Sequence, residues 1–485
     1  MASSRQTVQG LFWSVAERVA SQGMAFVVLL ILARLLGPQS YGLVTLAATI
    51  ALFGQMLLGE TFSQALIQAK TTEPAHCSSV FWLLVLLGLS AGIGQFLAAP
   101  LLADAFGQPA IAPVLEALSP LLLLSAIQAV PTALLRGALN FRAIFAASTA
   151  ATLVGGAVAV IMAFKGFGIW SLIVNLLVQS TISTVTIWRK SGFRPVRQFS
   201  QLHVRALWSN LRYTILGRLA AFAANQSPRL IVGYMFGPVA LGAFSLGLRI
   251  IEMLHQLLVM PAANVILPLI VKIRDIPERL ENTVLSATHM TAVLTAPVYL
   301  TLAVSAPLVM PLVFGEHWLA SVPLVQILCF YGVVMACGQI WQVILTGLGR
   351  PDITLRITIV AAIANMGALL LSAPWGPVAA ATAFIVRGYA TLPFMPLVIG
   401  RLTGLRARRQ YRLFVPILIA AGIMVAAEEA VMRALAHRLA APLQLAAVLA
   451  AGAIVYGVTL YALDRHAIYR RLAVLKHLQP LKASA

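Results

Sequence analysis

The sequence predicts an all-α integral membrane protein of about fourteen transmembrane helices. Three observations predict it. The 485 residues are 60% hydrophobic and only 10% charged, where soluble domains carry about 25% charge. Apolar runs of spanning length recur along the whole chain. The lysines and arginines of the loops fall mostly in alternate loops. The formal net charge of +20 is therefore read as loop charge at a membrane surface, with no role for nucleic acid.

A spanning helix needs about 20 mostly apolar residues. The runs that meet this lie at 11–36, 40–68, 78–102, 110–135, 142–164, 168–188, 208–236, 240–269, 286–311, 320–346, 353–373, 377–399, 411–432 and 441–463. Glycine and proline mark most junctions, as in Gly37-Pro38, Phe106 to Pro109, Phe314 to Glu316, Gly347 to Pro351 and Ala373 to Pro377. The first run carries Glu17 and Arg18 and is too long for a signal core, so it is read as a helix of the mature protein. Residues 464–478 place Ile468, Leu472 and Leu475 on one face among basic neighbours, which predicts an interfacial helix. Cys77, Cys329 and Cys337 have neither metal nor disulfide spacing and are assigned to packing.

The loops on the N-terminal side hold twenty-three lysines and arginines, and the opposite set holds four. Both termini are accordingly expected on the cytoplasmic side. The largest loop, near 189–207, is basic and carries no nucleotide-binding glycine loop and no Cys/His cluster.

The chain also repeats itself. RLLGPQSYG at 34–42 and YMFGPVALG at 234–242 share Gly37/Gly237, Pro38/Pro238 and Gly42/Gly242. The same shift of 200 superimposes Leu11 on Leu211 and Arg18 on Arg218, and the shift grows to 210 by Arg136-Gly137. Both copies start from the same side, so a parallel repeat is expected. The domains follow: a six-helix lobe at 1–195, a second at 196–400, and an extra helix pair with a basic tail at 401–485. The two glycine–proline turns are expected to be matching outer corners that move with their lobes and bind nothing.

Charges inside a bilayer are costly, about 2.5–3.5 kcal/mol each on insertion scales, and tend to face protein or water. Arg212 and Arg356 lie near helix ends and can snorkel. Arg18, Arg218, Arg229, Arg249 and Arg387 are the candidate substrate-binding residues. Arg18, Arg218, Arg229 and Arg249 form polar stripes with Ser14, Glu17 and Ser21, with Asn225, and with Glu252 and Gln256, while Arg387 sits midway along its helix beside Gly388. Guanidinium groups hold phosphate in bidentate geometry, so this excess of arginine suits an anionic substrate and opposes cationic drugs. Glu17, Glu60 and Glu252 are ion-coupling candidates, with Glu252 alternatively only the helical partner of Arg249. Glu428 and Glu429 are read as structural. No cofactor is expected; a proton or Na⁺ gradient would supply the energy.

Residues 10–47, with FSQALIQ (62–68), SSVFWLLVLLG (78–88), LLRGALNFR (134–142) and GFGIWSL (166–172), resemble the Wzx-type polysaccharide flippases, particularly the colanic-acid exporter group. That group belongs to the multidrug/oligosaccharidyl-lipid/polysaccharide superfamily. The resemblance implies a V-shaped alternating-access transporter of two six-helix lobes plus two C-terminal helices. It implies transfer of undecaprenyl-pyrophosphate-linked sugar repeat units from the cytoplasmic to the periplasmic leaflet of the bacterial inner membrane, for exopolysaccharide or lipopolysaccharide synthesis. Expected partners are the lipid-linked oligosaccharide, membrane lipids and a polysaccharide polymerase with its export machinery; a monomer is favoured. The competing readings are a drug/cation antiporter of the same superfamily and a membrane polysaccharide polymerase or ligase. The short, nearly uncharged outer loops oppose an enzyme, and a peptidoglycan-precursor flippase fits the local motifs less well.

Overall fold

The computed structural model describes the backbone of residues 4–69, 73–196, 201–436 and 438–477, and side chains within 22–67, 73–196, 214–436 and 438–465. In chain order the α-helices are α1 (Ser4–Gln55), α2 (Thr61–Ala69), α3 (Pro74–Ala105), α4 (Ile111–Leu118), α5 (Pro120–Gly137), α6 (Phe141–Phe164), α7 (Ile169–Ser191) and α8 (Gln201–Leu258). There follow α9 (Met260–Ile273), α10 (Pro277–Val309), α11 (Val322–Gly347), α12 (Pro351–Ser372), α13 (Pro377–Thr391), α14 (Phe394–Thr403), α15 (Ala407–Leu435) and α16 (Ala441–His477). Among the described residues, twelve helices are long and apolar enough to cross a membrane. The protein is thus an all-α, multi-pass membrane protein.

Two of those twelve are far longer than a bilayer needs, at 46 and 45 residues. At 1.5 Å per residue each runs to nearly 70 Å, against a hydrocarbon core of about 30 Å. Both are broken inside. Gly37 has φ 73°, ψ 175° and Gly237 has φ 77°, ψ −175°. Only glycine adopts this region at little cost, and the proline that follows has no N–H to continue the ladder.

The sequence predicts two corners that bind nothing. In the structure they lie against each other. A Cβ on Gly42 would overlap the carbonyl oxygen of Pro238, and a Cβ on Gly242 would overlap that of Pro38. Backbone approaches this closely only where both residues lack a side chain.

The last helix corrects the expected tail. Residues 464–477 continue α16 without a break rather than starting a separate helix. The three cysteines are buried free thiols, with Cys329 and Cys337 both on α11.

The chain packs as two compact units, Met1–Ser245 with Ala361–Met366, and Leu246–Val360 with Gly367–Ala485. In the first, α5 is tied to α7 by polar side chains in an apolar setting. Gln128 donates to Ser183 at 3.2 Å and accepts from Thr184 at 3.1 Å, and Trp188 Nε1 donates to the Ile127 carbonyl at 3.2 Å. In the second, α10, α15 and α16 enclose a cluster that includes Ala292, Ala296, Ile417, Met424 and Leu460. Glu428, fully buried on α15, accepts from Thr301 Oγ1 at 2.6 Å and lies against Gly452 of α16. These contacts fit its reading as structural.

Candidate functional site

The first unit holds a polar cavity of about 430 Å³. Helical periodicity explains its walls. On α5, Ser125, Gln128, Ala129, Thr132 and Arg136 recur at i, i+3, i+4, i+7 and i+11 and form one face. On α8, Arg218, Phe222, Asn225 and Gln226 do the same at i, i+4, i+7 and i+8. A third wall comes from Leu52 and Gln55 at the end of α1, and from the turn that follows.

That turn is a π-helix, Met56–Glu60. The N–H of Thr61 bonds to the Met56 carbonyl five residues back, and Thr61 Oγ1 donates to the same oxygen at 2.9 Å. One extra residue per turn rotates everything beyond it relative to α1, and π-turns of this kind often accompany functional sites. Here it coincides with the placing of Glu60 on the cavity wall.

Glu60 meets Arg218 as an ion pair across 158 residues of sequence. The Arg218 side chain is 24% exposed and that of Glu60 57%. Arg136, partly buried on the opposite wall, makes no ion pair among the described residues. Among the described residues, the charged side chains lining the cavity are thus two arginines and one glutamate. Phe53 and Phe222 meet edge-on at 5.0 Å and 63°, placing an apolar aromatic surface beside the polar one. Such a chamber can hold a group with negative charge through guanidinium, hydroxyls and carboxamides through Ser, Thr, Asn and Gln, and an apolar ring face through Phe222.

The predicted site residues are placed as follows. Arg218 and Glu60 share this cavity. Arg229 lies one turn beyond its lining, where it donates to Gln226 Oε1 at 2.8 Å. Arg249 and Glu252 belong to the second unit and form a loose i, i+3 pair at 3.9 Å. Arg387, also in the second unit, stands 5.9 Å from the Phe384 ring centroid, and its Nε is buried without a hydrogen-bond partner among the described residues. Glu17 and Arg18 lie on α1, but their side chains fall outside the described residues.

Sequence reasoning missed Arg136 as a cavity residue, because its place at the end of α5 counted it as a loop charge. The signal was present in Gln128, Thr132 and Arg136, a polar stripe at i, i+4 and i+8 inside an apolar run. It also missed the pairing of Glu60 with Arg218, which no local pattern announces.

A multi-pass helical chain with a polar, arginine-bearing chamber within its spans is built as a membrane transporter. The protein belongs to the family described as polysaccharide biosynthesis proteins, whose pattern matches residues 31–323. Over its whole length it is 28% identical to the succinoglycan biosynthesis transport protein ExoT of Rhizobium meliloti (strain 1021), covering 98% of that protein. It is 25% identical to the lipopolysaccharide biosynthesis protein WzxC of Escherichia coli (strain K12), over 74% of this chain and 73% of that one. Among solved structures, the inward closed conformation of the lipid II flippase MurJ matches with a TM-score of 0.76 at 14% identity, covering 93% of this chain and 99% of that one. An inward-facing multidrug resistance MATE family transporter of the MOP superfamily matches at 0.61 and 15% identity, over 79% and 96%. These structural likenesses establish the fold. The relative matched over the whole chain is named a transport protein and not an enzyme, which opposes the polymerase or ligase reading.

Proposed function

We propose that this protein is a Wzx-like flippase. It moves undecaprenyl-pyrophosphate-linked oligosaccharide repeat units from the cytoplasmic to the periplasmic leaflet of the bacterial inner membrane, by ion-coupled alternating access. The observation that carries the reading is the 430 Å³ cavity, whose charged lining among the described residues is Arg136, Arg218 and the carboxylate of Glu60. Guanidinium forks match pyrophosphate oxygens, and the amide and hydroxyl groups beside them match sugar hydroxyls. A drug/cation antiporter would be served by the opposite charge balance. The transport and polysaccharide-biosynthesis names of the relatives agree with this cargo.

In this reading each broken span crosses twice. Gly37 and Gly237 then raise twelve apolar helices to fourteen crossings, with both termini in the cytoplasm. The near-identical dihedrals of the two glycines support a parallel repeat of two six-helix lobes, 1–195 and 196–400, with 401–485 as the added pair. Arg18, Arg229, Arg249 and Arg387 are further candidates for the substrate path, and Glu17, Glu60 and Glu252 for ion coupling.

The test is selective binding. Undecaprenyl-pyrophosphate-linked oligosaccharide should raise the Tm of the detergent-solubilised protein by binding the native state, and ethidium should not. Stabilisation by ethidium and none by the lipid-linked glycan would favour the antiporter.

A further inference from the structure

We propose that His289 and Asp464 form a proton-binding site in the second unit, reached through a polar cleft. The inference rests on the ion-coupled transport reading above and assigns the coupling ion to residues outside the earlier candidates.

α10, α15 and α16 form a three-helix seam. The His289 side chain on α10 is fully buried, and its Nε2 meets Oδ2 of Asp464 on α16. The Asp464 side chain is 11% exposed. It opens on a cleft of about 650 Å³, lined also by Glu278, Glu281, Asn282, Arg409 and Arg412. Water can therefore reach the acid while the imidazole stays enclosed.

Among the described residues, the charged groups around the pair come from several helices, and Arg465, next to Asp464 on α16, is exposed. On α10 itself, Glu281 is held by Arg409 of α15 at 2.7 Å, and Glu278 lines the cleft with Arg412. On α16, Tyr456 donates its hydroxyl to the Val293 carbonyl at 3.0 Å. α11, packed along α10, contains no Asp, Glu, Lys, Arg or His. Lys272 at the end of α9, Arg274 beyond it and Arg401 on α14 are exposed.

Charge bookkeeping gives the pair its function. With a neutral imidazole it carries one negative charge; one proton taken from water makes it a charge-balanced contact. A buried charge without its counter-charge is strongly unfavourable. Histidine is the side chain whose ordinary titration falls between roughly pH 5 and 8. A single carboxylate and an imidazole are too few oxygen donors for a hard metal cation, and no group of three metal-ligating side chains occurs among the described residues.

The seam also blocks a leak. Beyond the pair lies the apolar cluster of Ala292, Ala296, Ile417, Ala420, Met424 and Leu460. The next acid is Glu428, bonded to Thr301, and Thr301 lies about 18 Å along α10 from His289 at 1.5 Å per residue. A proton loaded at His289 and Asp464 passes no further without movement of the helices, which is what coupling requires.

The test uses proteoliposomes containing the full chain, undecaprenyl-pyrophosphate-linked oligosaccharide and a pH-sensitive dye, with a pH gradient, a Na⁺ gradient or neither. The wild type is expected to transfer the lipid about tenfold faster under a pH gradient, with proton flux. Asp464→Asn and His289→Gln should keep the gradient-free rate within about twofold and lose the acceleration. The exchange His289→Asp with Asp464→His, which keeps an acid–imidazole contact, should restore it. Full acceleration in Asp464→Asn, acceleration of the wild type by Na⁺ alone, an uncoupled exchange variant, or equal loss of both rates (a structural role) each overturn the proton site. A wild type that transfers nothing under any gradient rejects the transport reading, and the proton site with it.

Discussion

Gly42 and Gly242, 200 residues apart, face each other across a backbone seam. A Cβ on Gly42 would stand 2.9 Å from the amide nitrogen of Gly242, and each glycine lies against the carbonyl of the other's proline. Two corners that looked like separate punctuation are one reciprocal contact.

Gly42→Ala and Gly242→Ala are therefore expected to force the seam apart. Overpacking of this kind costs about 1–3 kcal/mol, read as a lower Tm of the full-length protein in detergent. Gly94→Ala on α3, where nothing lies within 4 Å, is the control and should hold or raise Tm, because alanine favours helix over glycine by about 1 kcal/mol. Equal Tm values for all three would show that the seam carries no strain on substitution.

The Glu60–Arg218 pair predicts an asymmetric pattern. Arg218→Ala should lower lipid transfer tenfold or more, by the loss of about 1.4 kcal/mol or more of binding. Arg218→Lys should not restore it, since an ammonium lacks the bidentate fork. Glu60→Gln should leave Arg218 facing the cavity alone and tighten binding of pyrophosphate-bearing lipid. Weaker binding in Glu60→Gln would mean that the pair, rather than the free guanidinium, recognises the cargo.

Arg136 supplies the second cation of the cavity. Arg136→Ala should weaken binding of the pyrophosphate lipid with little change in Tm, because it makes no ion pair among the described residues. Arg194→Ala, in the segment after α7 and outside the cavity lining, should leave binding unchanged. The same binding loss in both variants would point to general surface charge.

Topology can be read by cysteine labelling. Cysteines placed at Gln39 and Ala240, in the two corners, should react from the periplasmic face, and one at Gln201 from the cytoplasmic face. The reverse pattern would overturn the orientation drawn from the loop charges.

Much of the fold was legible because helix ends in a membrane chain are written in glycine and proline. Gly37-Pro38 and Gly237-Pro238 break α1 and α8 where the sequence places turns, although the helices on either side join into single long elements. The register of the cavity was harder to read. The π-turn at Met56–Glu60 arises from backbone hydrogen bonds that no residue type specifies, and it is associated with the position of Glu60. The partner of Arg218 lies 158 residues away, beyond any periodic pattern. Arg218, Asn225 and Arg229 share a face as their spacing predicts, yet only the first two line the cavity, since it closes one turn before Arg229. The His289–Asp464 contact was also hidden, because Asp464 sits where the spanning run was expected to end, while α16 continues through it.

The central claim is tested most directly by leaflet transfer in proteoliposomes containing only this protein and undecaprenyl-pyrophosphate-linked oligosaccharide placed in one leaflet. Exposure of the sugar to an added glycosidase on the opposite side is the readout. The account predicts that wild-type protein makes the glycan accessible on that side, and that the Arg136→Ala, Arg218→Ala double variant, equally well inserted, leaves it protected. Protection with the wild-type protein, or equal exposure with the double variant, would contradict it.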